Sequence, residues 1–300
     1  YYINVKKVVF IGMGASGIVG QFASSLLAKE DEIMTAGCHS PILPNWIDPN
    51  TLVIAISHSG DTQETISLFI EAYKRGAKLI ALSCRGGQLK KLAKKHSVPL
   101  LEIPNEHPPR SAFFLLLGAV LKILRKINLA EEITSERIKK SVQSLETGTI
   151  PLWHENEIKN NLALNLAQFL RESEAVILGS EHLEEVALRW GQQINENAKQ
   201  LAFVYNLPEG FHNLIEGIKY PSQKKVKIII LESNMATEET HKRINLALKL
   251  FKKAKIPAQR LHQATISDLL LEKLYFVLLG DFVSFYLAIL SDEDPTSNPN

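Results

Sequence analysis

Apolar and polar positions along the chain follow two alternating periods. Residues 52–56 are apolar on both faces and include β-branched side chains, the signature of a buried strand. From Thr62 the period changes: Ile66, Phe69, Ile70 and Tyr73 fall at helical spacing, while Glu64 and Glu71 sit elsewhere. The same alternation predicts strands over residues 8–12, 51–56, 78–83 and 99–103. Helices are predicted over 15–28, 62–75, 88–95 and 111–127. A βαβα order of this kind implies an α/β fold with a parallel sheet flanked by helices on both faces.

Residues 131–153 are more polar and carry Gly148 and Pro151, which places a connection there, between a domain over 1–130 and a second over 154–300. Beyond it the pattern returns. Apolar runs at 174–178 and 226–231 are followed by Gly179-Ser180 and Ser233-Asn234, each leading into a helical pattern. The stretch "VIAISHSGDTQETISLFIEAYKRGAKLIAL" lies beside "KIIILESNMATEETHKRINLALKLFKKAKIPAQRL", so the second half reads as a diverged copy of the first. In the copy the hydroxyl-rich turn is replaced by "ESNMAT". A pseudo-twofold pair of α/β subdomains enclosing a site is the expected architecture.

The turn after the strand at 51–56 carries the most distinctive chemistry. Hydroxyls from Ser57, Ser59 and Thr62, with backbone N–H groups around Gly60 and a helix start, make a set of donors suited to a phosphate. A plain helix cap by Ser59 or Asp61 is the alternative. Three hydroxyls and a glycine exceed what a cap requires. No G-x-x-x-x-G-K-[ST] is present, so a monophosphate held by neutral donors fits better than a nucleoside triphosphate. The first turn, "GMGASG", is formally a G-x-G-x-x-G at Gly12, Gly14 and Gly17. The acidic residues Glu30, Asp31 and Glu32 stand before the next apolar segment and not after it, which argues against a dinucleotide site. Gly14 is read instead as bringing backbone close to a small ligand, with Ser16 adding a hydroxyl.

Composition narrows the picture further. The 300 residues are 45% hydrophobic and 22% charged, with a net charge of +2, which points to no nucleic-acid or acidic-membrane partner. The lysine runs at 89–96 and 248–256 read as solvated helix faces. Trp46, Trp153 and Trp190 form no stacking array and read as core or interface residues. Cys38 and Cys84 form no C-x-x-C pair and suit a reducing cytoplasm, though the sequence leaves a bond between them open. Apolar stretches at 112–121 and 275–290, the latter interrupted by Asp281, read as core or interface helices and not membrane spans. No signal peptide is evident, and the opening Tyr1 suggests that the natural start lies upstream.

"GMGASG", "SHSGDTQETI" and "RGAKLIAL" resemble a SIS (sugar isomerase) domain, the fold that binds phosphosugars. "PPRSAFFLLLG", "INENAK", "PEGFHNLIEG" and "YLAILSDEDPT", in that order, resemble the bifunctional phosphoglucose/phosphomannose isomerase family over nearly the whole chain. The resemblance implies metal-free and cofactor-free proton transfer through an enediol, interconverting glucose 6-phosphate and fructose 6-phosphate, with mannose 6-phosphate as a second substrate. It implies Glu196 as the proton-shuttling base, His212 as the ring opener donated by the partner subunit of a homodimer, and Arg110 as the cation steadying the enediolate. By the residues alone, Glu196 would be a surface helix carboxylate and His212 a satisfied loop or core residue. An arginine opening a helix sits against the dipole, which favours a functional reading. The resemblance also implies that Thr296 leaves room for both C2 epimers.

Three departures stand out. His58 occupies a position that is aromatic in many relatives, and Ala15 one that is often glycine. In the family a terminal helix bearing a lysine follows the Asp294-Pro295-Thr296 stretch, whereas residues 297–300 contain no lysine, so the natural chain is expected to run on. The nine histidines show no H-x-H, H-E-x-x-H or ligand-spaced cluster, in keeping with a metal-free reaction. Two other readings stay open: a non-catalytic phosphosugar-binding SIS regulator, and a SIS isomerase for another sugar phosphate.

Overall fold

The computed structural model describes residues 2, 5–27, 33–104, 107–154, 160–217 and 225–297. It divides into two compact units, Tyr1–Ser135 and Glu136–Asn300. In the first, β1 (Lys7–Ile11), α1 (Gly14–Leu27), β2 (Met34–Cys38), β3 (Thr51–Ser57), α2 (Gln63–Lys74) and β4 (Lys78–Ser83) follow one another. Then come α3 (Gly87–Lys95), β5 (Leu100–Glu102), a short 3-10 turn (Pro109–Ala112) and α4 (Phe113–Lys126). All strand pairs are parallel, in the order β2-β1-β3-β4-β5.

Alternation along β1, β3 and β4 sends residues to two helical layers. Val9, Ile11, Val53, Ala55, Leu79 and Ala81 join a core with Ile66, Phe69 and Ala72 of α2 and Leu89 and Ala93 of α3. On α1 and α4, Phe22 and Phe113 meet edge to face at 5.6 Å. All seven residues of β3 are buried, as a central parallel strand requires.

The second unit opens with α5 (Ser135–Gly148), α6 (Ile150–His154) and α7 (Leu162–Leu170). The stretch expected as a connection is therefore largely helical; buried Ser141, Leu145 and Trp153 anchor it. Next come β6 (Glu174–Gly179), α8 (Glu184–Ala198), β7 (Ala202–Asn206), α9 (Gly210–Gly217) and β8 (Val226–Glu232). The last elements are α10 (Glu238–Lys253), β9 (Ala258–His262) and α11 (Leu269–Leu290). This sheet is also parallel, in the order β7-β6-β8-β9. Position for position it repeats the β2-β1-β3-β4 order of the first, so the diverged copy read from sequence is visible in topology.

The 22-residue α11 is long and apolar enough to cross a membrane by composition alone. Here it is the central helix of the second unit, packed against α7 and α8, with Glu272 and Lys273 buried and bonded within that unit. Gly280 allows its close approach to α8: a Cβ there would lie 2.4 Å from the Trp190 indole nitrogen. That indole donates to the Phe276 carbonyl at 2.7 Å.

Candidate functional site

Two helices begin side by side at the carboxyl edge of the first sheet. Adjacent strands β1 and β3 feed α1 and α2, and the strand order reverses between them, the switch point at which open α/β sheets place a crevice. Ser57 ends β3, nearly fully buried, and its Oγ lies 3.1 Å from Thr62 Oγ1 and accepts from Gly60 N at 3.0 Å. Ser16 Oγ accepts from His58 N at 3.2 Å, stitching the first turn to the second. Gly14 opens α1 at φ +52°, and His39 Nδ1 lies 3.1 Å from the Gly12 carbonyl that precedes it. Ser16, Ser57, Ser59, Thr62 and Gly14 are thus gathered at one sheet edge.

The capping alternative for this turn does not match the geometry. Ser59 Oγ takes Asp61 N at 3.1 Å, whereas the Asp61 carboxylate leaves its own helix and takes Gln88 N at 2.8 Å, at the start of α3. Thr62 is the N-cap of α2 and makes no side-chain cap bond. The first turn of α2 therefore presents its amides and the positive end of its dipole without a side-chain acceptor from the cap. Gly60 is obligatory at φ +78°, because a Cβ would come within 2.0 Å of the Gly86 carbonyl. His58 is 3% exposed and its Nε2 has no hydrogen-bond partner among the described residues. Burial and the neighbouring Arg85 charge hold this imidazole below its ordinary range.

Arg110 also lies in the first unit, buried to 5% exposure on the 3-10 turn that packs against α1 and leads into α4. In the second unit Glu196 stands in the last turn of α8, half-buried. One face of α8, at helical i, i+4 spacing, is polar and keyed to α11. Lys273 bonds Glu185, Asp281 accepts from Arg189 at 2.8 Å and Gln193 at 2.9 Å, and Asn197 donates to Ser284 at 2.9 Å. These bonds fix α8 in rotation and register, and Glu196 falls beside that stripe. His212 is exposed on α9, whose Phe211, Leu214 and Ile215 pack inward against the β8 and α10 core. Thr296 follows α11 in an exposed turn, its Oγ1 donating to Asp294 Oδ1 at 2.6 Å.

Sequence reasoning did not foresee what bonds the copy of the hydroxyl-rich turn. At the switch point of the second sheet Ser233 N donates to Ser180 Oγ at 2.8 Å, the counterpart of the Ser16 latch. There Ser233 Oγ and Asn234 N donate to the fully buried carboxylate of Glu272, at 2.7 and 2.6 Å. Thr237 caps α10 by accepting from Thr240 N at 3.2 Å. An acidic residue inside an apolar helical run is the sequence signal, since a carboxylate there needs donors to survive burial. Both cysteines are buried and free, which closes the disulfide alternative, and burial pushes both thiols up and away from reactivity.

Residues 1–114 match the family model described as the SIS domain, and residues 159–300 match the bacterial phospho-glucose isomerase C-terminal SIS domain. A bifunctional phosphoglucose/phosphomannose isomerase of Aquifex aeolicus is 32% identical, over 97% of this chain and 86% of that protein. A D-glucosamine-6-phosphate 4-epimerase of Sulfolobus acidocaldarius is 29% identical, over 82% of this chain and 74% of its own. Among solved structures, a glucosamine-6-phosphate deaminase of Thermotoga maritima shares the fold with a TM-score of 0.72 at 18% identity, over 98% of this chain and 88% of its own. With its paired SIS units and its match along nearly the whole length, the chain belongs to the bifunctional phosphoglucose/phosphomannose isomerase family.

Proposed function

We propose that this protein interconverts glucose 6-phosphate and fructose 6-phosphate, and accepts mannose 6-phosphate, by proton transfer between C1 and C2 through an enediol. The observation that carries the reading is the open turn of the first unit: hydroxyls of Ser57, Ser59 and Thr62 around an α2 start that lacks a side-chain cap. A sugar phosphate would take those amides and hydroxyls, with Ser16 and Gly14 beside them. Glu196 removes the proton from one carbon and returns it to the other, Arg110 steadies the enediolate charge, and His212 moves the ring-opening proton. Thr296 gives the C2 hydroxyl room in either configuration.

The reaction is proposed to need no metal or cofactor. A homodimer with His212 donated across the interface is part of the proposal. His212 lies exposed on α9, and the preceding edge strand carries exposed Phe203 and Tyr205 on one face, with exposed Leu201 just before it. A cytoplasmic location, without nucleic-acid or membrane partners, completes it.

The test is conversion of fructose 6-phosphate to glucose 6-phosphate and mannose 6-phosphate with chelator present. Glu196→Gln should keep phosphosugar binding and lose turnover by about 10²- to 10⁴-fold, the range for a positioned general base. Near-normal turnover in that variant would remove Glu196 from the mechanism. The Sulfolobus relative favours a second reading, action on another hexose phosphate. Turnover of glucosamine 6-phosphate with none of fructose 6-phosphate would replace the first reading by the second.

A further inference from the structure

Helix α8 ends in an unusual way. Its C-cap, Lys199, adopts the left-handed conformation at φ +54° and ψ +24°, a position where glycine or asparagine is the usual occupant. The lysine ammonium donates to the Glu196 carbonyl in the last helical turn and, at 2.9 Å, to the Ser297 carbonyl 98 residues further along the chain. One cation therefore ties the backbone of Glu196 to the residue next to Thr296.

The far end of this tie is itself ordered. Asp294 Oδ1 accepts from Thr296 N at 2.8 Å and from Thr296 Oγ1 at 2.6 Å, and the Asp294 carbonyl accepts from Ser297 Oγ at 3.0 Å. The turn is thus a closed unit with Thr296 at a set place in it, and Lys199 fastens that unit to α8. The Thr296 bonds, with a smaller contribution from the Lys199 charge, hold the Asp294 carboxyl below its usual range, so the acceptor stays ionised near neutrality.

We propose that Lys199 is a positioning residue that sets the spacing between the Glu196 backbone and the Thr296 turn, and through it both the rate and the epimer ratio of the products. The proposal rests on the roles given above to Glu196 and Thr296. A displacement of the order of 1 Å between a base and the group facing the reacting carbon costs about 10²-fold in rate. Lys199 touches neither substrate nor reacting atoms; it acts through the two segments it joins.

The experiment compares wild-type protein with Lys199→Gly, Lys199→Met and Lys199→Arg. Two readouts are taken: amide hydrogen exchange at Thr296 and Ser297, and the kinetics of fructose 6-phosphate with its mannose 6-phosphate to glucose 6-phosphate product ratio. Lys199→Gly suits the left-handed backbone and should fold at least as well as wild type, so a loss there is not a folding defect. Both Lys199→Gly and Lys199→Met are expected to exchange those two amides faster, to drop kcat by roughly 10-fold or more, and to shift the product ratio, with KM changed little. Lys199→Arg should restore most of both. Unchanged exchange in the glycine and methionine variants would overturn the tie, and faster exchange with unchanged kcat and product ratio would overturn its catalytic role. Faster exchange in those variants, with a wild type that turns over no hexose phosphate, would overturn the isomerase reading, and with it the positioning role, while leaving the tie.

Discussion

The two switch-point turns are the same device brought to different ends. Each has a serine after the first strand that accepts the amide following the third: Ser16 from His58 in one unit, Ser180 from Ser233 in the other. In the first unit the helix beyond the turn is left without a side-chain cap. In the second, Glu272 supplies the anion from within the fold, and Thr237 caps the helix. A buried carboxylate bonded to this turn from within the fold makes it a structural joint. The two turns thus differ in their acceptor: an internal carboxylate in one, and in the other no side-chain cap, which is where the proposal above puts the sugar phosphate.

The comparison breaks most visibly at Glu272. Glu272→Ala leaves Ser233 Oγ and Asn234 N without their buried acceptor, and two hydrogen bonds to a charged group together account for about 3 kcal/mol. For a unit of this size that corresponds to a fall of roughly 6–12 °C in thermal midpoint. Calorimetry of the variant showing the wild-type midpoint would mean that the carboxylate does not hold the second turn together.

A smaller effect separates the two threonine N-caps. Thr237→Ala removes a working cap and should cost about 1 kcal/mol of stability while leaving KM unchanged. Thr62→Ala removes a hydroxyl from the open turn, and should raise KM about 10-fold for roughly 1.4 kcal/mol of lost binding, with little change in stability. Denaturant titration and initial-rate kinetics on the two variants give the contrast directly, and the reverse pattern would assign the open turn to the wrong unit.

The smallest effect is one of pH. Because His58 is held below its ordinary range by burial and by Arg85, the unfolded chain takes up the proton first as pH falls. The stability this supplies is complete above the unfolded value of about 6.5 and is lost as pH drops through it toward the folded value. Unfolding midpoints between pH 8 and pH 5 should therefore fall less steeply in His58→Phe than in wild type. Equal slopes would show that His58 does not contribute.

The legible part of the molecule was the part with a strong period. Strand Lys78–Ser83 has the bounds that its apolar run predicts, and β1, β3 and α2 differ from prediction by a residue or two at their ends. The strands β2, β7 and β9 escaped because edge strands are half-exposed and their sequences, such as Ala-Gln-Arg-Leu-His in β9, lack a continuous apolar run. At the site, hydroxyls clustered in one turn could be read locally, and the structure gathers them. The roles of Asp61, Glu272 and Lys199 could not. Each bonds a segment 27 to 98 residues away, and no local pattern announces a partner at that separation.

That separation also sets an order of events during synthesis. The Ser233 turn has no internal anion until Glu272, 39 residues later, has been made and has left the ribosome. At about 5–20 residues per second this is a wait of roughly 2–8 seconds in which α10, the last strand β9 and the start of α11 are still being made. In the first unit the latch partner Ser16 precedes the turn, and the later partner of Asp61, Gln88, follows it by 27 residues and not 39. The nascent chain is thus expected to carry a finished first half while the second is still open to chaperones, and α11 closes it.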